Sequence, residues 1–187
     1  MKNSDEEIPT LKEVFELCKE KIFINIEMKD LKVKETLREV LKMIKDFGME
    51  DQICLSSFIP EYLQEIKSLN IEIEYGFLIE NEGHETLKTL TIENYPKLDF
   101  IHKGTVNLHF SHCNEENIDI IRKNGLGVHV WFSKNPKHYE NENVTEDEAS
   151  FKKLLEFGVD VICTNYPDKA IKVRQEFMEA KQVKVCC

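Results

Sequence analysis

Short apolar runs alternate with longer helical patterns along the whole chain, and this alternation constrains the fold more than any other feature. The apolar runs predict six strands, at residues 22–28, 53–58, 73–79, 106–110, 127–132 and 159–164. The helical patterns lie at residues 11–20, 31–47, 60–69, 115–123, 146–157 and 168–180. Strands that alternate with helices are typical of a parallel sheet. The predicted fold class is therefore α/β, with repeated strand-helix units.

The predicted helices have well-marked ends. Two capping-box patterns place a threonine three residues before a glutamate, at Thr10 with Glu13 and at Thr145 with Glu148. Pro60 suits the first position of a helix. Glycines at positions 48, 125 and 158 stand where helices should stop. The polar, mixed region from 81 to 104 is less regular, and we expect it to hold at most one irregular helix.

Polar and apolar side chains alternate along three of the predicted strands, so each strand has one polar face and one apolar face. The polar faces carry Asn25, Glu27 and Lys29 in the first strand, Asn107, His109 and Ser111 in a later one, and His129 with Trp131 in another. The opposite faces carry Ile22, Ile24, Ile26 and Met28, then Val106, Leu108 and Phe110, then Val128, Val130 and Phe132. An open sheet covered by helices on both sides would need apolar residues on both faces. The pattern therefore favours a barrel whose wall surrounds a polar site.

The ends of these strands hold the candidate site residues. In a (β/α)₈ barrel the carboxyl ends of the strands meet at one mouth, where the active sites lie. Glu27 and Lys29 end the first strand, and Trp131 lies near the end of a later one. We expect these three side chains to face a shared cavity.

Each of these features also has a simpler interpretation. Glu27 and Lys29 form, on this view, a salt-bridged pair at a sheet end. His129 on an inner face is a hydrogen-bonded core histidine rather than a ligand. A further cluster consists of His109, His112 and Cys113, whose spacing loosely resembles that of metal ligands. On the simpler interpretation, this cluster is a chance grouping at a strand end.

Composition excludes several classes of protein. The formal net charge of −10 argues against binding to duplex nucleic acid, which needs a basic footprint. No run approaches the ~18 consecutive apolar residues of a membrane span. The six cysteines show no CxxC spacing, which predicts a reduced cytoplasmic chain rather than a zinc ribbon or a disulfide framework.

Four stretches of the sequence, taken in order, resemble the glycerophosphodiester phosphodiesterase family. The first is IPTLKEVF at 8–15 followed by INIEMK at 24–29, which is similar to the family's "IPTLeEvl…iniEiK". LSSF at 55–58 with Pro60 resembles "SFdp", and GLGVHVW at 125–131 resembles "aGlkVhvWt". FGVDVICTNYP at 157–167 resembles "lGVDgIiTDyP". The agreement covers residues 8 to 170, and its order makes it specific.

The resemblance implies a partial (β/α)₈ TIM barrel of an enzyme of lipid metabolism. Such enzymes hydrolyse a glycerophosphodiester to glycerol 3-phosphate and an alcohol, with a divalent cation (Ca²⁺ or Mg²⁺) and acid-base histidines. Glu27 matches the family's carboxylate metal ligand, and Lys29 matches the lysine that contacts the substrate phosphate. Trp131 matches an aromatic residue of the substrate pocket, and we assign His129 to substrate binding beside it.

The chain also departs from the family pattern. The family's "HRG", "ExD" and "HD" segments, which supply both catalytic histidines and most metal ligands, do not precede Ile8, and none of the six histidines stands in such a context. Asn165 replaces the aspartate of "TDyP", which we expect to weaken a local interaction at the strand end. A typical barrel needs about 250 residues, and this chain shows about six of eight units. We therefore expect an N-terminally truncated barrel, with a disordered N-terminus at 1–7, the barrel at 8–180 and a tail at 181–187.

Two functional hypotheses follow. The first is a phosphoric diester hydrolase acting on a small-molecule glycerophosphodiester, impaired in this chain because the catalytic-histidine segment is absent. One carboxylate is too few for a tight site, so metal binding is expected to be weak or absent. The alternative is a non-catalytic binding or regulatory protein whose partial barrel associates with itself or with another chain, covering its open sheet edges. An unrelated doubly wound fold is disfavoured because no glycine-rich phosphate loop follows a first strand.

Overall fold

A computed structural model of the protein describes residues 7–29, 32–69, 72–79, 104–133 and 145–185. The strands in these ranges are β1 (Ile24–Glu27), β2 (Ile53–Ser57), β3 (Glu74–Ile79), β4 (Gly104–His109), β5 (Gly127–Trp131) and β6 (Val161–Cys163). The helices are α1 (Leu11–Cys18), α2 (Val33–Phe47), α3 (Pro60–Ser68), α4 (Glu115–Lys123), α5 (Glu148–Phe157) and α6 (Pro167–Val185). Two short 3₁₀ turns cover Glu50–Gln52 and Phe110–His112. Each predicted strand and helix is present within a few residues of its expected bounds.

The six strands form one sheet in the order β1-β2-β3-β4-β5-β6. Pairing is parallel between β1 and β2, where Glu27 lies opposite Ser56, and between β4 and β5, where His109 lies opposite Trp131. The pairing of β5 with β6 is also parallel and places Trp131 opposite Cys163. Sequential order with parallel pairing is the arrangement that repeated strand-helix units produce.

Several helix ends confirm the sequence prediction. At α1 the Glu13 N–H donates to Thr10 Oγ1 at 3.3 Å, and the Thr10 N–H donates to Glu13 Oε2 at 2.8 Å, which completes a capping box. These hydrogen bonds from Thr10 hold the pKa of the Glu13 carboxyl below its usual range. At the C-termini of α2 and α5, Gly48 and Gly158 adopt left-handed φ angles of 62° and 73°, which a side chain would disfavour.

Three local predictions were wrong. The cap of α5 is Asp147, not Thr145, because the Asp147 carboxylate accepts the Ser150 N–H at 2.8 Å while the Thr145 hydroxyl donates to that carboxylate. Ile22, expected on the buried face of the first strand, lies before β1 and is 60% exposed. Helix α6 runs to Val185, well beyond the predicted end at residue 180.

The chain divides into two compact units, residues 1–75 and 76–187. In the first unit the apolar faces of α1 and α2 form part of the core, in which Phe15, Leu37 and Ile44 are fully buried. The rings of Phe15 and Phe47 meet edge to face at 5.5 Å. Burial of this kind supplies most of the stability of such a unit.

The second unit has its own core beneath β4 and β5. Its fully buried apolar side chains are Leu108, Val128, Val130, Phe151 and Leu154. The start of β6 is joined to β5 through Asp160, whose carboxylate accepts the Val128 N–H at 2.7 Å and pairs with Arg122 at 2.9 Å. The apolar faces predicted for β4 and β5 are thus core at Val106, Leu108, Val128 and Val130, whereas Phe110 and Phe132, just beyond the strand ends, are half-buried.

Gly76 provides a stability prediction for the second unit. A Cβ atom at this position would lie 2.6 Å from Thr105 Oγ1 and 2.8 Å from the Asn107 amide, and both side chains are buried and hydrogen-bonded to each other. We expect Gly76→Ala to lower the free energy of unfolding by about 2 kcal/mol, measured by urea denaturation. Gly127→Ala is the control, because its Cβ would approach no atom more closely than 3.0 Å, with a Thr105 methyl at 3.0 Å, Asp160 Oδ2 at 3.4 Å and the Gly104 carbonyl at 3.7 Å. Equal losses in the two variants would contradict this interpretation.

Some predictions fall outside the described residues. These include the disordered segment over residues 1–6, the irregular helix expected before Gly104, and the last two residues of the predicted tail. In the part of the chain that the structure describes, no helix is both long enough and apolar enough to traverse a bilayer.

Candidate functional site

The candidate site begins at the carboxyl end of β1. Lys29 Nζ lies 3.2 Å from Glu27 Oε2, with the lysine side chain 74% exposed and the glutamate side chain 33% exposed. The backbone between them is fixed, because the Met28 N–H donates to the Ser56 carbonyl at 2.7 Å and the Ser57 hydroxyl donates to the Met28 carbonyl at 2.7 Å. The salt-bridged pair that the sequence suggested is therefore present, and its charged ends reach solvent.

Ser56 is a buried polar residue beside Glu27 that the sequence analysis did not single out. It lies opposite Glu27 in the β1–β2 register, so both side chains project from the same face of the sheet. Ser56 is only 2% exposed, and its hydroxyl has no hydrogen-bond partner within the described part of the chain. A buried hydroxyl without a partner is costly. The LSSF stretch drew attention to this strand end, but alternation along one strand does not fix its register, so the pairing with Glu27 needed the structure.

Trp131 ends β5 and is half-buried. Its indole N–H donates to the Asn107 carbonyl at 3.2 Å. The ring packs edge to face against the His109 imidazole, with ring centroids 4.8 Å apart and an interplanar angle of 68°. Both neighbours lie on β4, so the indole is held by the adjacent strand.

His109 is fully buried beside this tryptophan. The backbone N–H groups of Ser111 and Ser133 point at its two ring nitrogens, at 3.3 Å from Nδ1 and 3.2 Å from Nε2, and Ser111 Oγ lies 2.8 Å from Nδ1. Burial, together with the nearby His112, lowers the pKa of the His109 imidazole from 6.5 to about 4. The imidazole is therefore neutral at physiological pH.

His129 lies on the same strand as Trp131, in register with Asn107 on β4 and Val161 on β6. Burial lowers the pKa of His129, and the Asp160 carboxylate opposes that shift. The structure thus brings His109, His129 and Trp131 together within the second unit. Glu27 and Lys29 belong to the first unit, and the prediction that these two residues and Trp131 face one cavity stays a prediction.

The residues that the structure describes do not form a ready metal centre. No group of three or more His, Cys, Asp or Glu side chains suited to an ion occurs among them. Within the His109, His112 and Cys113 cluster, burial raises the pKa of the Cys113 thiol to about 12, so this sulfur is not a thiolate. Glu27 is then a single carboxylate already paired with Lys29, which does not fit a tight divalent-cation site.

Asn165 corrects one expectation about the strand end after β6. The Asn165 N–H and side-chain amide each donate to the Glu146 carboxylate at 2.7 Å, and the Thr164 hydroxyl donates to it at 2.6 Å. Glu146 is only 6% exposed. The expected weakening by asparagine is therefore wrong, because the asparagine amide donates a hydrogen bond that an ionised aspartate could not donate.

Solved structures share this fold. A glycerophosphodiester phosphodiesterase from Agrobacterium tumefaciens aligns with a TM-score of 0.65 at 19% identity, over 89% of this chain and 62% of its own. An Oleispira antarctica phosphodiesterase, solved with the product sn-glycerol-3-phosphate, aligns with a TM-score of 0.64 at 22% identity, over 89% of this chain and 61% of its own. The predicted fold class, an α/β partial (β/α)₈ barrel, is confirmed.

Curated relatives agree with the structural likeness. A glycerophosphodiester phosphodiesterase of Bacillus altitudinis is 27% identical over 176 residues, which are 90% of this chain and 63% of that protein. One from Caldanaerobacter subterraneus is 26% identical over 179 residues, 92% of this chain and 64% of that protein. The chain thus spans less than two thirds of these relatives. The profile of the glycerophosphoryl diester phosphodiesterase family matches residues 1–169, and the chain therefore belongs to that family.

Proposed function

We propose that this chain carries part of the substrate site of a phosphoric diester hydrolase of lipid metabolism. The reaction joins water to a glycerophosphodiester and yields glycerol 3-phosphate and an alcohol. The observation that supports this most directly is the Glu27–Lys29 pair, 3.2 Å apart at the end of β1 and inside the INIEMK stretch. The family match over residues 1–169 supports the same chemistry.

Lys29 is the residue that we assign to the substrate phosphate. The Lys29 side chain is largely exposed, and a salt bridge to Glu27 holds its ammonium near the strand end. A positive charge beside the phosphate offsets the negative charge that grows on the non-bridging oxygens in the transition state. Binding of the phosphate would exchange the Glu27 carboxylate for phosphate oxygens as the partner of Lys29.

Glu27 would be the residue that offers one carboxylate oxygen to a divalent cation, Ca²⁺ or Mg²⁺, which are hard ions that prefer oxygen ligands. The described residues offer this carboxylate without a surrounding ligand set. The proposed cation site is therefore weak in the isolated chain.

Trp131 and His129 are proposed to line the substrate pocket in the second unit. The indole is half-buried and offers a flat apolar surface, while its N–H is already bonded to the Asn107 carbonyl. Such a surface suits the alcohol portion of the diester. Cys18, Cys54 and Cys113 are free thiols, which fits the cytoplasmic location that we propose.

Turnover by this polypeptide alone is proposed to be weak or absent. Its sequence contains no "HRG" segment and no "HD" pair to supply the acid and base histidines. A missing general acid or base costs about 10²–10⁴-fold each in rate. Lost metal ligands add to that deficit.

The test measures hydrolysis and binding on the same purified chain. Hydrolysis of glycerophosphocholine is followed with Ca²⁺, with Mg²⁺ and with a chelator, and we expect rates near background in all three. Binding of sn-glycerol 3-phosphate is measured by calorimetry, and we expect Lys29→Met to weaken it about tenfold. Lys12→Met is the matched control, because Lys12 is another exposed lysine that pairs with a glutamate, at 3.7 Å.

The outcomes separate the proposals. Robust hydrolysis that Glu27→Gln abolishes would contradict the proposed impairment, and equal binding by the Lys29 and Lys12 variants would contradict the proposed phosphate site. Light scattering on the same sample addresses the non-catalytic alternative, which is favoured by apolar side chains exposed before β1, Ile22 at 60% and Phe23 at 50%. A stable dimer without ligand binding would support that alternative.

A further inference from the structure

We propose that His109 is a positioning residue that fixes the orientation of Trp131. The role of Trp131 in ligand binding rests on the proposed function, but the orientation itself does not. The imidazole packs edge to face on the indole at 4.8 Å and 68°, and the Asn107 carbonyl accepts the indole N–H at 3.2 Å. The indole is thereby held at two points. The His109 imidazole contacts its ring, and the Asn107 carbonyl accepts its N–H.

Both anchors belong to the regular part of the sheet. Asn107 and His109 lie on β4, and the register places His109 directly opposite Trp131 on β5. Side chains opposite one another in adjacent parallel strands project from the same face. Apolar residues on the other face of the same two strands, Leu108 and Val130, are fully buried, so the strands have little freedom to slide.

His109 is itself held in one rotamer. Backbone N–H groups of Ser111 and Ser133 point at its two nitrogens, and Ser111 Oγ lies 2.8 Å from Nδ1, where it suits either a donor or an acceptor role. A neutral imidazole protonated at Nδ1 suits these contacts best, because Nδ1–H donates to Ser111 Oγ while Nε2 accepts the Ser133 N–H. An imidazolium donates at both nitrogens and would face two backbone N–H donors. Protonation would therefore release the ring from Trp131.

Other titratable groups surround this pair. His112 follows in the 3₁₀ turn, with its ring 6.4 Å from that of His109. His129 precedes Trp131 by two positions on β5, and Cys163 lies opposite Trp131 on β6. Any acid-induced change at the indole must be assigned among these groups, and the variants below make that assignment.

A fixed indole has a consequence for ligand binding. A rigid aromatic surface loses little conformational entropy when a ligand packs against it, whereas an indole that samples several rotamers must be ordered first. His109 therefore acts on ligand affinity through Trp131, without touching the ligand.

The experiment uses the single tryptophan of the chain as its probe. Time-resolved fluorescence anisotropy and the near-ultraviolet circular dichroism of the indole are recorded without ligand. His109→Gln keeps an oxygen acceptor for the Ser133 N–H, whereas His109→Phe keeps the ring shape and loses the acceptor. We expect both variants to lose about half of the wild-type limiting anisotropy and indole band, His109→Gln because it removes the ring that packs on the indole, and His109→Phe because no hydrogen bond holds its ring in one rotamer.

A pH titration adds a second readout. In the wild type the indole signals should change in a transition near pH 4, the pKa that burial gives His109. His109→Gln should abolish this transition, and the control variants His112→Gln and His129→Gln should keep it. A transition that survives in His109→Gln would overturn the proposal, as would wild-type rigidity in His109→Phe.

Folding is checked separately by far-ultraviolet circular dichroism. If His109→Phe does not fold, Ser111→Ala tests the same point, because it removes only the hydroxyl beside Nδ1 and should loosen the indole by a smaller factor. Wild-type rigidity in Ser111→Ala would then overturn the proposal. Binding of sn-glycerol 3-phosphate to His109→Phe is expected to be about tenfold weaker than to wild type. Failure of the wild type to bind would count against the proposed function, while the ligand-free signals would still decide the role of His109.

Discussion

Asn165→Asp should lower the free energy of unfolding by about 3 kcal/mol at pH 7. The aspartate would place a second carboxylate 2.7 Å from that of Glu146, where the asparagine amide now donates a hydrogen bond. Glu146 is only 6% exposed, whereas residue 165 is exposed, so solvent screens the repulsion only in part. The variant restores the residue that the wider family carries in "TDyP", yet we expect it to destabilise this chain. Urea denaturation followed by circular dichroism measures the change.

A double variant tests whether the loss arises from this pair. Glu146→Gln with Asn165→Asp exchanges donor and acceptor between the two side chains and preserves the total charge. The glutamine oxygen can still accept hydrogen bonds from the backbone N–H of residue 165 and from the Thr164 hydroxyl, which both donate to Glu146 in the wild type. We expect the double variant to recover about 2 kcal/mol of the loss. A double variant as unstable as Asn165→Asp alone would show that the contact has a different role.

The fold could be predicted from the sequence because its signals are local. Helix α4 begins and ends at the predicted residues, Glu115 and Lys123, since an acidic first turn and a following Asn-Gly mark its ends. The Thr10 capping box and Gly48 at the end of α2 depend only on residues within one turn. The polar and apolar faces of each strand could be predicted because side chains alternate between the two faces with a period of two residues. This alternation needs no knowledge of neighbouring strands.

The site could be predicted less completely, because its contacts join residues far apart in the chain. The Ser133 N–H reaches His109 over 24 positions, and Asn165 reaches Glu146 over 19. Periodicity identified His109 as a polar-face residue but could not show that it is fully buried against Trp131. The cap of α5 was missed for a different reason, since Thr145 and Asp147 are both good caps and only the geometry distinguishes them.

Acidification should destabilise the protein between about pH 6.5 and pH 4 because of His109. Burial lowers the pKa of this imidazole in the folded state from 6.5 to about 4. Between these two values the unfolded state binds more protons, so stability is present above pH 6.5 and is lost as pH falls toward 4. The loss from this one group is expected to be about 3 kcal/mol. Urea denaturation at half-unit intervals across this range measures it.

Variants assign this loss to His109. His109→Gln should flatten the pH dependence of the free energy of unfolding in this window, whereas His112→Gln should leave it nearly unchanged. His129 contributes in the same direction, since burial also lowers its pKa, and His129→Gln measures that share. Glu13 and Asp147 act in a lower window, because hydrogen bonds hold the pKa of each carboxyl below its ordinary value, so their contributions are lost only as pH falls below about 4.5. A His109→Gln profile that parallels the wild type between pH 6.5 and 4 would show that the buried imidazole is protonated without cost, contrary to the hydrogen-bond geometry around it.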